Sequence, residues 1–255
     1  LLLLGALALI PSACGDSPTD PGDNGDPNGG TPYAHDRSAG ASAADLLSDT
    51  DFQHLVVEVQ YVEGMAPEQT ALDDLADFLE ARLTKPGGIE IRVDDQPIGP
   101  ATGTTYSAAD IRALEAEHRE IFTSGDTLAT YLLVVDGEYE QENVLGIAYY
   151  NTSTALFGEK IQDNTGGLGQ PSKARVEATV AMHEFGHIMG LVDNGTDMVT
   201  EHKDPEPGRG SHCDDDGCLM YYAVRTTDFL SNLLDSAPPP LDQNCVDDLR
   251  ANGGR

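Results

Sequence analysis

His183, Glu184 and His187 stand in the order His-Glu-x-x-His within Ala181-Met182-His183-Glu184-Phe185-Gly186-His187-Ile188-Met189-Gly190-Leu191. On a helix, residues four apart share a face, so the two imidazoles can aim at one point while Glu184 projects beside them. Two nitrogen ligands and a neighbouring carboxylate are the parts needed to hold zinc and to take a proton from water at the metal. A bare His-Glu-x-x-His also arises by chance, so a third ligand and a fold able to present the helix are required.

The helix has clear boundaries. Gly166, Gly167 and Gly169 form a glycine-rich stretch ahead of Pro171, and Ser172 caps a helix that continues to the histidines. Val176, Val180, His183 and His187 fall along one stripe, with Ala178, Met182, Phe185 and Met189 on a flank suited to packing on a sheet.

The preceding chain supplies that sheet. Leu55 to Val62, Ile89 to Val93, Thr130 to Val135 and Val144 to Tyr150 are rich in β-branched and aromatic residues and read as strands. Pro67 to Thr84, stopped by Pro86-Gly87-Gly88, and Ser107 to Phe122 read as helices. This βαβαββ order, then the motif helix, favours an α/β domain with a mixed sheet. Asn151 to Ile161 reads equally as an exposed edge strand, able to pair with an extended substrate, or as a surface loop. Ala39 to Asp51 reads as a short helix or more of the preceding tether. Thr226 to Leu234 and Leu241 to Ala251 read as helices around Pro238-Pro239-Pro240.

Composition narrows the partners. The chain has 255 residues, 44 acidic and 14 basic, for a formal charge of -30. No basic patch is visible, which argues against nucleic acid as a partner. The acidic groups have no EF-hand spacing, and their plainest role is solubility. A monomer acting on a peptide or protein is the expectation.

Leu1 to Ile10 is an apolar run followed by Pro11-Ser12-Ala13-Cys14-Gly15, and it is too short to span a bilayer. It resembles the end of a bacterial lipoprotein signal peptide, with Pro11 where leucine is common. That resemblance implies residues 1–13 as a signal remnant, Cys14 as the lipidated residue, export, and anchoring to a membrane or cell surface; an ordinary secretory signal is the alternative. Residues 14–32 read as a disordered tether of Asp, Pro, Gly, Asn, Ser and Thr, and residues 33–255 as the folded domain.

The segment from Ser172 to Tyr222 resembles the metzincin zinc proteases, in which the motif continues to a glycine, here Gly190, then to a third ligand and a Met-turn. His212-Cys213 followed by Cys218-Leu219-Met220 is similar to the archaemetzincin signature, with Met220 as the Met-turn methionine. The resemblance implies a zincin-like α/β (α+β) catalytic domain with a mixed, twisted sheet, an active-site helix, a Met-turn and a helical C-terminal subdomain. It implies one catalytic zinc, with Glu184 as general base. Archaemetzincins carry the third histidine three residues after the glycine, where this chain has Asp193. Either the stretch Val192 to Ser211 is an insertion and His212 is the third ligand, or Asp193 is; the spacing of Cys213, Cys218 and Met220 favours His212. His202 is a weaker third choice, and Glu201 or Glu206 would serve only a gluzincin arrangement that the Met-turn opposes. Tyr222 stands where some metzincins place a tyrosine that stabilises the oxyanion.

The family's four structural-zinc cysteines are reduced here to Cys213, Cys218 and Cys245. In an exported chain one bridged pair among them is the expectation, with a second zinc using Asp248 less favoured. The alternatives to a zinc endopeptidase are a non-catalytic surface lipoprotein stabilised by zinc and a metal-dependent amidase.

Overall fold

The computed structural model describes residues 32–101, 104–234 and 237–255. The apolar run, Cys14 and residues 14–31 of the tether lie outside the described residues. Tyr33–Arg255 forms one compact unit.

A five-stranded sheet runs in the order β2-β1-β4-β7-β6, from Gly88–Val93 (β2), His54–Tyr61 (β1), Thr127–Val135 (β4), Ser153–Phe157 (β7) and Gly146–Tyr150 (β6). The first four are parallel and β6 is antiparallel to β7. β1 and β4 are buried along nearly their whole length, which is why they read as continuous apolar runs. One core cluster joins Leu55, Val57 and Val59 to Leu72, Leu75 and Leu79 of Gln69–Arg82 (α2) and to Val176, Val180 and Phe185 of Lys173–Ile188 (α5). A second joins Tyr131, Leu133 and Val135 to Ile111 of Ala108–His118 (α3) on the opposite face. Ala43–Leu47 is a short helix (α1) that buries Leu46 and Leu47. Thr105–Tyr106 (β3) and Glu138–Tyr139 (β5) form a separate two-stranded ladder.

Asn151 to Ile161 is neither exposed edge nor loop. β7 lies inside the sheet with all five residues buried, and Gly158–Asp163 (α4) follows it. Its polar residues disguise it, because their partners come from far along the chain: Ser153 Oγ donates to Glu115 Oε1 at 2.7 Å and accepts from Arg119 Nη1 at 3.3 Å. The edge strand is β6.

α3 stops at His118, short of Phe122. The Glu120 and Ile121 amides go to the Glu58 carboxylate at 2.8 and 2.7 Å instead of to helical carbonyls. Past the site, Tyr222–Arg225 and Thr227–Leu233 are 3-10 turns, and Gln243–Ala251 (α6) is capped by Asp242, whose side chain accepts the Cys245 amide at 2.9 Å. Among the described residues no helix is long and apolar enough to cross a membrane.

Candidate active site and metal centres

α5 is the element that carries the site. Ser172 caps it by accepting the Arg175 amide, and from Val176 to Ile188 every residue is buried. The expected single flank is therefore both flanks: β6 and β7 cover one side, α2 and the Cys213 to Met220 segment the other. Gly186 is required where it stands, because a Cβ there would strike the Met220 sulfur beneath the helix. At Gly190 φ is +84°, and a Cβ would lie 2.7 Å from Ala43 Cβ and 3.0 Å from the Thr196 amide. Helix α5 therefore ends there, with Asn194 and Thr196 both donating backbone amides to the Gly190 carbonyl at 3.2 Å.

The chain then makes a long excursion and returns at His212. The donor atoms of His183, His187 and His212 lie within 4.8 Å of one another, and all three rings are buried. His183 Nδ1 faces the Leu219 carbonyl at 2.7 Å, and His212 Nδ1 faces the Arg209 carbonyl. A carbonyl can only accept, so each Nδ1 carries the hydrogen, and the Nε2 atom of each neutral ring is a bare lone pair. These two Nε2 atoms face each other at 3.2 Å. Two lone pairs at that distance repel unless a cation lies between them. Tetrahedral zinc with bonds of about 2.0–2.1 Å needs nitrogens roughly 3.4 Å apart, so the donor set fits it. Burial drives His183 and His187 well below the ordinary histidine value and His212 to about 4, with Arg225 also pushing each down. All three are held neutral, the form a metal needs.

Glu184 is fully buried, and neither carboxylate oxygen has a hydrogen-bond partner. Burial pushes its carboxyl up to about 7, opposed by the Arg225 charge and by a nearby Ala148 amide too poorly placed for a full hydrogen bond. A carboxyl near 7 can exchange protons at neutral pH. It lines a cleft of about 440 Å³ together with His187, His212, Ala148 and Tyr149 of edge strand β6, and Arg225. Tyr222 packs its ring edge-on to His212 at 5.2 Å, with the guanidinium groups of Arg209 and Arg225 at 5.7 and 5.5 Å from its centroid. Met220 is fully buried.

Asp193 does not join the histidines. Its carboxylate is largely exposed and paired with Lys203 at 3.0 Å, because the positive φ values of Val192 and Asp193 turn the chain outward. Glu201 and Glu206 are likewise exposed.

The cysteines are also arranged otherwise than expected. Cys213, Cys218 and Cys245 are free, buried thiols; Cys218 Sγ and Cys245 Sγ are 3.7 Å apart, well beyond a disulfide bond. His202 completes the cluster, its Nδ1 facing the Thr200 carbonyl at 2.8 Å and its Nε2 lying 3.5 Å from Cys245 Sγ. Zinc bonded to sulfur at about 2.3 Å needs sulfurs roughly 3.8 Å apart and a sulfur and a nitrogen roughly 3.5 Å apart. The Cys218–Cys245 and Cys245–His202 separations match that spacing, and the donor atoms of His202, Cys213, Asp242 and Cys245 lie within 4.8 Å of one another. Cys213 is the thiol whose pKa falls, because Cys218 and Cys245 donate to its sulfur, while theirs rise. As it stands the cluster holds one thiolate between two protonated thiols, and a cation would let the other two sulfurs ionise as well. Asp242 also reaches the group but is spent as the α6 cap, and Asp248 accepts the Val199 amide at 2.6 Å with its other oxygen 3.6 Å from His202. His202 therefore belongs to a second group of metal-ligating side chains, apart from His183, His187 and His212. Sequence reasoning missed Arg225, Arg112 and the Ser38-Ala39 wall of the cleft, which no local spacing marks.

No family model matches the sequence, and no curated protein does. Among solved structures, the 1.5 Å crystal structure of archaemetzincin from Methanopyrus kandleri is similar, with a TM-score of 0.50 and 15% identity over 80% of this chain and 96% of that one. The likeness is one of fold: a mostly parallel, twisted sheet with the helices of an archaemetzincin-like zincin.

Proposed function

We propose that the chain is a zinc-dependent endopeptidase whose metal is held by His183, His187 and His212. The observation that carries this reading is the pair of bare Nε2 atoms 3.2 Å apart beside a buried carboxylate that has no partner. Bound zinc supplies a Lewis acid and brings the pKa of water at the open position to about 7. Glu184 takes the proton of the attacking water and passes it to the leaving amine, for which a carboxyl near 7 is suited. β6 offers its outer edge to an extended peptide as one more strand, holding the scissile bond over Glu184. Met220 forms the Met-turn floor under α5, and Tyr222 steadies the developing oxyanion. Tyr222→Phe is expected to lower turnover with zinc retained.

Cys213, Cys218, Cys245 and His202 would hold a second, structural zinc. Ligation there reconciles three free thiols with the export proposed for this chain, since metal-bound thiolates are protected from the disulfides an oxidising compartment favours. Lipidation at Cys14 belongs to the same proposal, and Cys14→Ser should release the protein from membranes. A binding protein that keeps zinc only for stability has no use for Glu184, and amide substrates other than peptides are the alternative chemistry. Zinc analysis after dialysis should give two ions per chain, His212→Ala one ion and no peptide hydrolysis. A wild-type protein free of zinc at neutral pH overturns the reading.

A further inference from the structure

We propose that Arg225 and Arg112 form a carboxylate-binding subsite in the cleft, so that preferred substrates carry a carboxylate close to the scissile bond. This rests on the peptidase reading above. The first observation is an inversion of charge. The chain carries 44 acidic and 14 basic residues, yet the charged side chains lining the cleft are Arg112, Arg225 and the general base Glu184. In so acidic a protein, two guanidinium groups facing one carboxylate in a cleft are out of proportion.

The second observation is that neither guanidinium is committed to a carboxylate. Arg37, Arg92, Arg119, Arg209 and Arg250 each lie within ion-pair distance of an Asp or Glu. Among the described residues Arg112 and Arg225 have no such pair; Arg82, Arg175 and Arg255 have none either, but they do not line the cleft. Arg112 spends one N–H on the Tyr149 carbonyl at 3.3 Å and lies over the Tyr150 ring at 4.9 Å. Arg225 is fixed through its backbone, whose carbonyl accepts the Leu145 amide at 2.8 Å, and its guanidinium lies over the Tyr222 ring. Its Nε is buried with no hydrogen-bond partner. That nitrogen is shielded from solvent, so a ligand carboxylate in the cleft would be bound through the Nη groups of the same guanidinium.

The third observation is convergence. Both arginines line the same cleft as Tyr139, Glu184, His187 and His212, and Arg225 lies over the Tyr222 ring that meets His212 edge-on at 5.2 Å. A carboxylate between the two arginines therefore lies beside the reacting groups. Guanidinium binds such groups in a planar, two-pronged manner. That carboxylate is either an Asp or Glu side chain or the free C-terminus of the substrate.

The test uses zinc-loaded full-length protein and matched fluorogenic peptides that differ only by Glu or Gln at each position flanking the cleaved bond. Each peptide is made with a free and an amidated C-terminus. The expected result is a kcat/KM roughly ten- to a hundred-fold higher for one carboxylate form, expressed mainly in KM. Preference for internal Glu assigns the subsite to acidic side chains; preference for the free terminus assigns it to the chain end. In Arg225→Gln, and separately in the exposed-site variant Arg112→Gln, the acidic-to-neutral ratio should fall toward one. Equal kcat/KM across the set overturns the subsite while leaving the peptidase standing. If no peptide is cleaved, calorimetric binding of the same peptides to zinc-loaded Glu184→Gln decides: tighter binding of the carboxylate forms upholds the subsite, and equal or absent binding overturns it.

Discussion

Replacing Glu184 by Gln should stabilise the metal-free protein at neutral and alkaline pH while abolishing its chemistry. The carboxyl is fully buried without a partner, and its pKa rises from the ordinary 4.5 to about 7. Its folded value is raised, so the fold favours the neutral acid. Below about pH 4.5 the group is protonated in both states and costs nothing; above about pH 7 it is charged in both, and the fold bears the whole difference. At 1.36 kcal/mol per pH unit, that difference is about 3 kcal/mol. For a domain of this size it corresponds to a Tm gap of about 6–12 °C. Thermal unfolding of chelator-treated, reduced wild-type and Glu184→Gln protein from pH 4.5 to 8 measures it. The variant should be the more stable at pH 8, and the gap should close toward pH 4.5. Reloading with zinc should also narrow it, because a neighbouring dication favours the carboxylate. In the zinc-loaded state the variant should lose about two to four orders of magnitude in turnover and keep its metal. A gap that does not change with pH refutes the claim that Glu184 is held as an unsatisfied, buried acid.

Gly190→Ala combines a left-handed backbone with collisions at Ala43 and Thr196, and should cost about 2–5 kcal/mol in denaturant unfolding; a cost below 1 kcal/mol would show that the turn relaxes freely. Asp193→Ala removes only an exposed pair with Lys203, so stability should change by less than about 1 kcal/mol with zinc content intact, and loss of a zinc ion would restore Asp193 as a ligand. His35 is held down to about 3 by burial and then by the Arg119 and Arg37 charges. The unfolded chain therefore takes up a proton below about pH 6.5 that the folded protein refuses until about pH 3. Stability is lost across that window as pH falls, and His35→Asn should flatten the corresponding part of a Tm-against-pH curve. Cys245→Ser should lose the structural zinc and also weaken zinc at the histidines by roughly ten- to a hundred-fold, as read by competition with a chromophoric chelator; unchanged affinity there would mean the two centres are independent.

Much of this arrangement could be read from local pattern. α5 carries its own start and stop in Ser172 and Gly190, and the parallel strands announce themselves because both their faces are buried. β7 could not be read so, because Thr152 and Ser153 look like a polar loop until Glu115 and Arg119, more than thirty residues away in the chain, meet their hydroxyls. His202 and Cys245 are separated by 43 residues, and nothing in their spacing says that their side chains meet. Arg225 is silent in the sequence for a similar reason: its position becomes informative only when the edge strand and His212 close around the same cleft.

The stretch between Val192 and Ser211 ties the two centres together. At its middle, His202 faces the thiols, while its backbone carbonyl accepts the Asp214 amide at 2.9 Å. The next turn holds the third histidine, since the Asp204 amide donates to the His212 carbonyl at 2.8 Å and the Arg209 carbonyl fixes His212 Nδ1. Arg209 is itself anchored by Asp204 at 2.8 Å and lies over Tyr222. Cys213 follows His212 directly and donates its amide to the Met220 carbonyl at 2.8 Å, so the segment from the thiols to the floor of the histidine site is continuous. An insertion of this length would ordinarily loosen a ligand that has to arrive with its ring aligned to within a few tenths of an ångström. Here the inserted residues supply both the fourth donor of the thiol cluster and the carbonyl that orients His212. The loop that delays His212, the third ligand in the zinc site proposed above, thus also holds that ring in place.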